Sequence, residues 1–143
     1  MSDISTQENK LIDTVKALKT TDEKPVFLDV ESMGRKGKPV AFRFPAAFVC
    51  YLSDQKIPSK PRPMFKRRFT VVIVNQNVSN EKNAATDTYE LIESARDAIL
   101  GKTLGLSGVS PFELLGITID EFDAGKITYT LFFETTVYLP IPR

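Results

Sequence analysis

Six consecutive residues, Phe69-Thr70-Val71-Val72-Ile73-Val74, constrain the fold more than any other stretch of this chain. β-Branched and aromatic side chains suit an extended, pleated backbone, and here they occupy both of its faces. A strand apolar on both faces belongs inside a sheet. The run, extended to Lys66–Gln76, is therefore placed at the centre of the sheet.

Other strands assemble around it. Val26–Val30 is a short apolar run. Val40–Phe44 alternates apolar and polar, the period of a half-buried strand. Pro45 has no N–H to give to a ladder and marks an edge, a bulge or a strand start. Ala46–Leu52 continues as a strand. Two long runs close the chain, Phe112–Phe122 and Lys126–Leu139, joined at Asp123-Ala124-Gly125. They read as an antiparallel hairpin of unusual length.

Two helices complete the pattern. Ile4, Leu11, Ile12, Val15 and Leu18 fall at helical spacing and predict a helix over about Ser5–Leu18. Ser5 or Thr6 is its expected cap, and Ser5 with Glu8 fits a capping box. Leu91, Ile92, Ala95 and Ile99 predict a second helix over about Ala85–Leu100, with Asp87 and Glu90 at its start. Gly101 is placed to end it in the left-handed conformation. The expected architecture is an α+β single domain spanning 1–143. It has a mainly antiparallel sheet, two helices packed on one face and a long C-terminal β-hairpin.

Several function classes are excluded. There is no histidine and only one cysteine, Cys50. Zinc sites of the usual kind and histidine-dependent nucleophile pairs are thereby ruled out. No intrachain disulfide forms, and Cys50 is expected as a small buried thiol. No segment approaches the roughly 20 apolar residues of a membrane span. The polar N-terminus lacks a signal-peptide core, so a cytosolic site of synthesis is expected.

Charge is unevenly distributed. Residues 35–68 hold ten basic side chains against one acid, a net +9, while residues 1–34 net −3 and residues 69–143 net −5. The basic region includes a proline-rich arm at about 53–66. Its three prolines, Pro58, Pro61 and Pro63, favour a stiff extended backbone. Candidate contact residues on or beside the arm are Lys60, Arg62, Met64, Phe65, Lys66, Arg67 and Arg68. Candidate acidic partners are Glu90, Glu93 and Asp97 on the second helix. Asp120, Glu121 and Asp123 near the last turn are further candidates. The bland alternative is that these charges are simply solvated. Gly101-Lys102-Thr103 lacks the upstream glycine of a phosphate loop and follows a helix, so it reads as a helix terminator. No catalytic, cofactor or metal constellation emerges.

Four stretches, in order, resemble the tail-terminator (tail-completion) proteins of tailed bacteriophages, in particular those of Mu-like contractile phages and related prophages. They are Phe44-Pro45-Ala46-Ala47-Phe48-Val49; Lys66 to Asn77; Thr88 to Gly105; and Ile127-Thr128-Tyr129-Thr130-Leu131-Phe132-Phe133-Glu134-Thr135. The helix at 5–18 matches only in placement, and Phe69 stands where the family often has tryptophan. The resemblance implies a structural, non-enzymatic protein without cofactors. It implies a hexameric ring that caps the head-proximal end of the tail tube and stops its polymerisation. Its partners would be further copies of itself and the tube protein, with sheath and head–tail connector in contractile tails. Its location would be the virion tail, after assembly in the host cytoplasm. A competing reading is an accessory protein that binds nucleic acid through the arm, and another is a different neck or tail component. A near-neutral chain with no known nucleic-acid module argues against nucleic acid. An edge left open on Thr128–Tyr138 would be a further surface for a neighbouring copy.

Overall fold

The computed structural model describes residues 3–33, 43–58, 63–76, 81–123 and 126–138. The element order is α1 (Asp3–Lys16), β1 (Asp29–Ser32), β2 (Ala46–Lys56), β3 (Met64–Gln76), α2 (Glu81–Ile99), β4 (Glu113–Asp123) and β5 (Lys126–Tyr138). Five strands form one sheet in the order β1-β2-β3-β5-β4. β1 runs parallel to β2, and every other pairing is antiparallel. The fold is therefore α+β, with the C-terminal hairpin formed by β4 and β5.

β3 is the middle strand, as its two apolar faces require. One face carries Phe69, Val71 and Ile73, all fully buried. They pack with Leu11 and Val15 of α1, Ile92, Ala95 and Ile99 of α2, and Leu131 and Phe133 of β5. Both helices thus cover the same side of the sheet. Phe69 meets Tyr51 and Phe112 edge-on, with ring centroids 5.9 and 6.3 Å apart. Burying a side chain of this size stabilises the fold by about 1.5–3 kcal/mol. On the other face Ala46, Phe48 and Val74 make a smaller cluster with Met33, Phe44 and Val72.

Local chemistry departs from the expected boundaries in instructive ways. α1 opens at Asp3, whose Oδ1 accepts from the Ile4 N–H at 3.0 Å. The expected cap, Ser5, therefore lies inside the helix and does not open it. Glu8 instead turns to the sheet, where it accepts from Ser32 Oγ at 2.5 Å and the Tyr51 N–H at 3.2 Å. The first short strand lies at Asp29–Ser32, three residues later than Val26. Val26 instead donates its N–H to the Leu18 carbonyl at 3.0 Å, beside an isolated antiparallel bridge between Lys19 and Pro25. Of the expected strand at 40–44, residues 40–42 lie outside the described residues, and Arg43 and Phe44 are in no strand. Pro45 directly precedes β2, and Phe44–Pro45 is a cis peptide. α2 starts at Glu81, so Asp87 and Glu90 sit within the helix and do not open it. Gly101 does end it, with φ +76°.

The proline-rich segment is less of an arm than expected. β2 continues to Lys56, β3 begins at Met64, and the Ile57 N–H donates to the Met64 carbonyl at 3.0 Å. Most of it is the end of a β-hairpin, with residues 59–62 outside the described set. Cys50 is half-buried, less enclosed than expected, and burial together with the Glu8 carboxylate pushes its thiol pKa up.

Candidate functional site

The two hairpins point in opposite directions along the sheet. Met64 pairs with Tyr138 at one end of the β3–β5 ladder, and Gln76 pairs with Lys126 at the other. Thirteen paired residues span about 40 Å. The basic β2–β3 hairpin is therefore at one end. The β4–β5 turn, with Asp120, Glu121 and Asp123 on β4, is at the other. In this fold a single copy keeps these two groups apart.

The basic candidates separate into different roles. Lys60 and Arg62 lie outside the described residues. Lys66 is exposed, and Met64 and Phe65 are half-buried. Arg67 is an internal residue, only 3% exposed. Its Nε and Nη2 bind the two Asp54 oxygens at 2.8 and 2.9 Å. Its Nη1 reaches Asp3 Oδ2 at 2.8 Å and Gln7 Oε1 at 3.0 Å. Burial disfavours the guanidinium charge, but hydrogen bonds to Asp54 and Asp3 outweigh it and raise the pKa. The same bond to Arg67 is the main reason that Asp3 lies below its ordinary value. This cluster ties the start of α1 to the base of the hairpin. Arg68 sits on the opposite side of β3 and pairs with Glu134 across the strands at 2.9 Å.

The acidic candidates are more open. Glu90, Glu93 and Asp97 are all exposed on α2. At 100° per residue they fall within about 60° of helix surface. Asp97 also accepts from Arg96 Nε at 2.9 Å. Asp120 is exposed and accepts from Thr118 Oγ1 at 3.2 Å and from Thr130 Oγ1. The side chains of Glu121 and Asp123 lie outside the described residues. Among the described residues no group of three or more acidic or thiol side chains is placed to hold a metal ion. No described helix is long and apolar enough to cross a membrane.

One surface was missed in the sequence. β5 lies between β3 and β4, so Thr128–Tyr138 is not an open edge; among the described strands β4 is at the edge. α1 lies over β1 and β2, and α2 lies over β3 and β5. Among the described residues neither helix has its main contacts on β4. Leu115, Ile117 and Ile119 are consequently 48%, 37% and 56% exposed. Tyr89, also half exposed, bonds Tyr129, the cross-strand partner of Ile119, whose phenol is pushed up by burial and by that contact. The available signal was the charge on β4, since acids such as Asp120, Glu121 and Asp123 are typical of edge strands.

Comparison with known proteins gives these observations a context. Residues 29–143 match the model of the phage tail terminator protein family. A chain in the virion of a native gene transfer agent particle has the same fold. Its TM-score is 0.65 at 12% sequence identity, over 96% of this chain and 99% of that chain. No curated protein matches the sequence.

Proposed function

The chain belongs to the phage tail terminator family, a structural protein of the phage tail, and on that premise we propose that its copies form a hexameric ring on the head-proximal end of the tail tube. The ring ends tube polymerisation and offers a surface to the head–tail connector, and to sheath where the tail contracts. Assembly takes place in the host cytoplasm. The whole chain, 1–143, acts as one domain.

The observation that carries this reading is the charge polarity along the sheet. A basic hairpin at one end and acids at the other suit a neighbour placed head to tail. Repetition of such a heterologous contact closes a ring when the rotation permits. Exposed ion pairs contribute only about 0–1 kcal/mol each, so they set orientation while apolar contact carries affinity. Lys60, Arg62, Lys66 and Arg68 are the cations proposed to meet a neighbour or the tube rim, with Met64 and Phe65 beside them. Glu90, Glu93, Asp97, Asp120, Glu121 and Asp123 are the proposed acidic counterparts. Arg67 serves this surface only indirectly, by holding the hairpin base.

Two measurements test the reading. Negative-stain micrographs of the purified protein, alone and with tube protein, are expected to show six-fold rings and tubes of arrested length. Tubes that grow unchecked in the presence of excess protein would refute the capping role. Lys66→Glu, at an exposed side chain, is expected to weaken assembly while the monomer stays folded. Arg67→Glu would instead set a carboxylate against Asp3 and Asp54, and so reports on folding.

A further inference from the structure

β1 covers only part of the outer edge of β2. It pairs with Ala46–Val49, and β2 runs on to Lys56. Among the described strands none lies beside residues 50–56 on that side. An edge of this kind offers backbone N–H and C=O groups to any other extended chain.

A side chain of α1 stands where the next strand residues would be. The Glu8 carboxylate accepts from the Tyr51 N–H at 3.2 Å through Oε2 and from Ser32 Oγ at 2.5 Å through Oε1. Ser32 is the last residue of β1, and it is paired with Val49. Backbone groups that point to one side of a strand recur at every second residue. Tyr51, two residues past Val49, is therefore the next position along this edge. Glu8 is bonded at once to the end of β1 and to the first edge group beyond it.

The choice of residue is informative. Glu8 is 5% exposed, and a carboxylate is expensive to bury. Leu11 and Val15, further along the buried side of the same helix, fill the core with apolar atoms alone. Those two side chains, together with the bond from Arg67 Nη1 to Gln7 Oε1 at 3.0 Å, hold α1 against the sheet. The carboxylate is thereby delivered to Tyr51 on a fixed support. Beyond Tyr51 the strand has other defences. The β2–β3 register shifts between Tyr51 and Ser53, and Asp54 and Lys56 put charge on the exposed stretch that follows. Bulges and charged side chains both blunt an open edge.

We propose that Glu8 takes the place of a strand at Tyr51, so that α1 closes the β2 edge between β1 and the bulge and keeps a second extended chain from adding to the sheet there. This role is independent of the ring reading above, because it concerns a contact that the fold prevents.

The test uses the full chain with Glu8→Leu, which removes the acceptor and keeps bulk, and Glu8→Gln, which keeps an acceptor oxygen. Amide hydrogen exchange at Tyr51 and sedimentation over a range of concentrations are the readouts, scored against whatever state the wild type adopts. Melting curves check that each variant is folded. Glu8→Leu is expected to speed exchange at Tyr51 roughly tenfold or more, the worth of a hydrogen bond to a charged group. It is also expected to form species larger than the wild type that grow with concentration. Glu8→Gln is expected to stay near the wild type in both. A residue with only a structural role would lower the melting temperature and add no association. A folded Glu8→Leu that exchanges or sediments like the wild type therefore overturns the proposal. So does a Glu8→Gln that associates as Glu8→Leu does. Should Glu8→Leu not fold, the wild type decides: a Tyr51 amide that exchanges as fast as a solvent-exposed one overturns the proposal, and a protected one supports it.

Discussion

The β2–β3 hairpin base and the β4 edge invert what their side chains suggest. The hairpin base is rich in charge, yet Arg67 is among the most enclosed polar residues in the protein. The β4 strand is rich in leucine and isoleucine, yet three of these residues lie in solvent. What separates them is position in the sheet. Arg67 projects toward α1, where Asp3, Gln7 and Asp54 satisfy it. Ile117 and Ile119 lie on β4, where neither helix has its main contacts. Charge is therefore a structural element in one region, and apolar side chains are left in solvent in the other.

Four changes sharpen or break this contrast. The largest effect is expected at the rung beneath both regions. Phe69→Ala should destabilise the fold by about 3–5 kcal/mol, from lost burial and the cavity between Tyr51 and Phe112. Urea unfolding measures it. Arg67→Met comes next, at about 3 kcal/mol, because it leaves the partly buried Asp54 without its cation. A melting curve close to wild type would show that the hairpin base does not depend on this charge. Acid has a smaller, signed effect. The Asp3 carboxyl is held below its ordinary value, chiefly by its hydrogen bond to Arg67. A depressed carboxylate adds stability in full above its unfolded pKa and loses it as pH falls through the folded value. Stability should therefore drop as pH is lowered below about 4, and Asp3→Asn should flatten part of that slope. The smallest effect is expected at the open edge. Ile119→Lys should change monomer stability by less than about 0.5 kcal/mol, since the side chain is already largely in water. A loss of several kcal/mol would mean that β4 is core and would end the contrast.

Much of the fold was legible because it depends on local pattern. The β-branched run at Phe69–Val74 required an interior strand, and β3 is the middle one of five. The stripe of Leu91, Ile92, Ala95 and Ile99 required a helix with one buried face. Gly101 required an end to it. The short first strand was harder to read. Val26–Val30 and Asp29–Ser32 overlap, but Val26 bonds back to Leu18 beside the Lys19–Pro25 bridge and does not join the sheet. The proline-rich segment was harder still, since proline spacing does not report that the flanking residues pair. At the candidate surface, Arg67 and Arg68 look equivalent in the sequence. Adjacent residues on a strand face opposite sides, so one joins the helix side and the other reaches Glu134.

The amino-acid sequence by itself settled the classes of element, the central strand, the two amphipathic helices and the lack of histidine chemistry. It also settled that positive charge gathers between residues 35 and 68. Only the tertiary structure decided which strand would be the edge and which arginine would be internal. Periodicity acts over a few residues and is written in the chain. Strand order and helix coverage depend on residues distant in the chain meeting across a sheet, as Phe69 and Phe133 do.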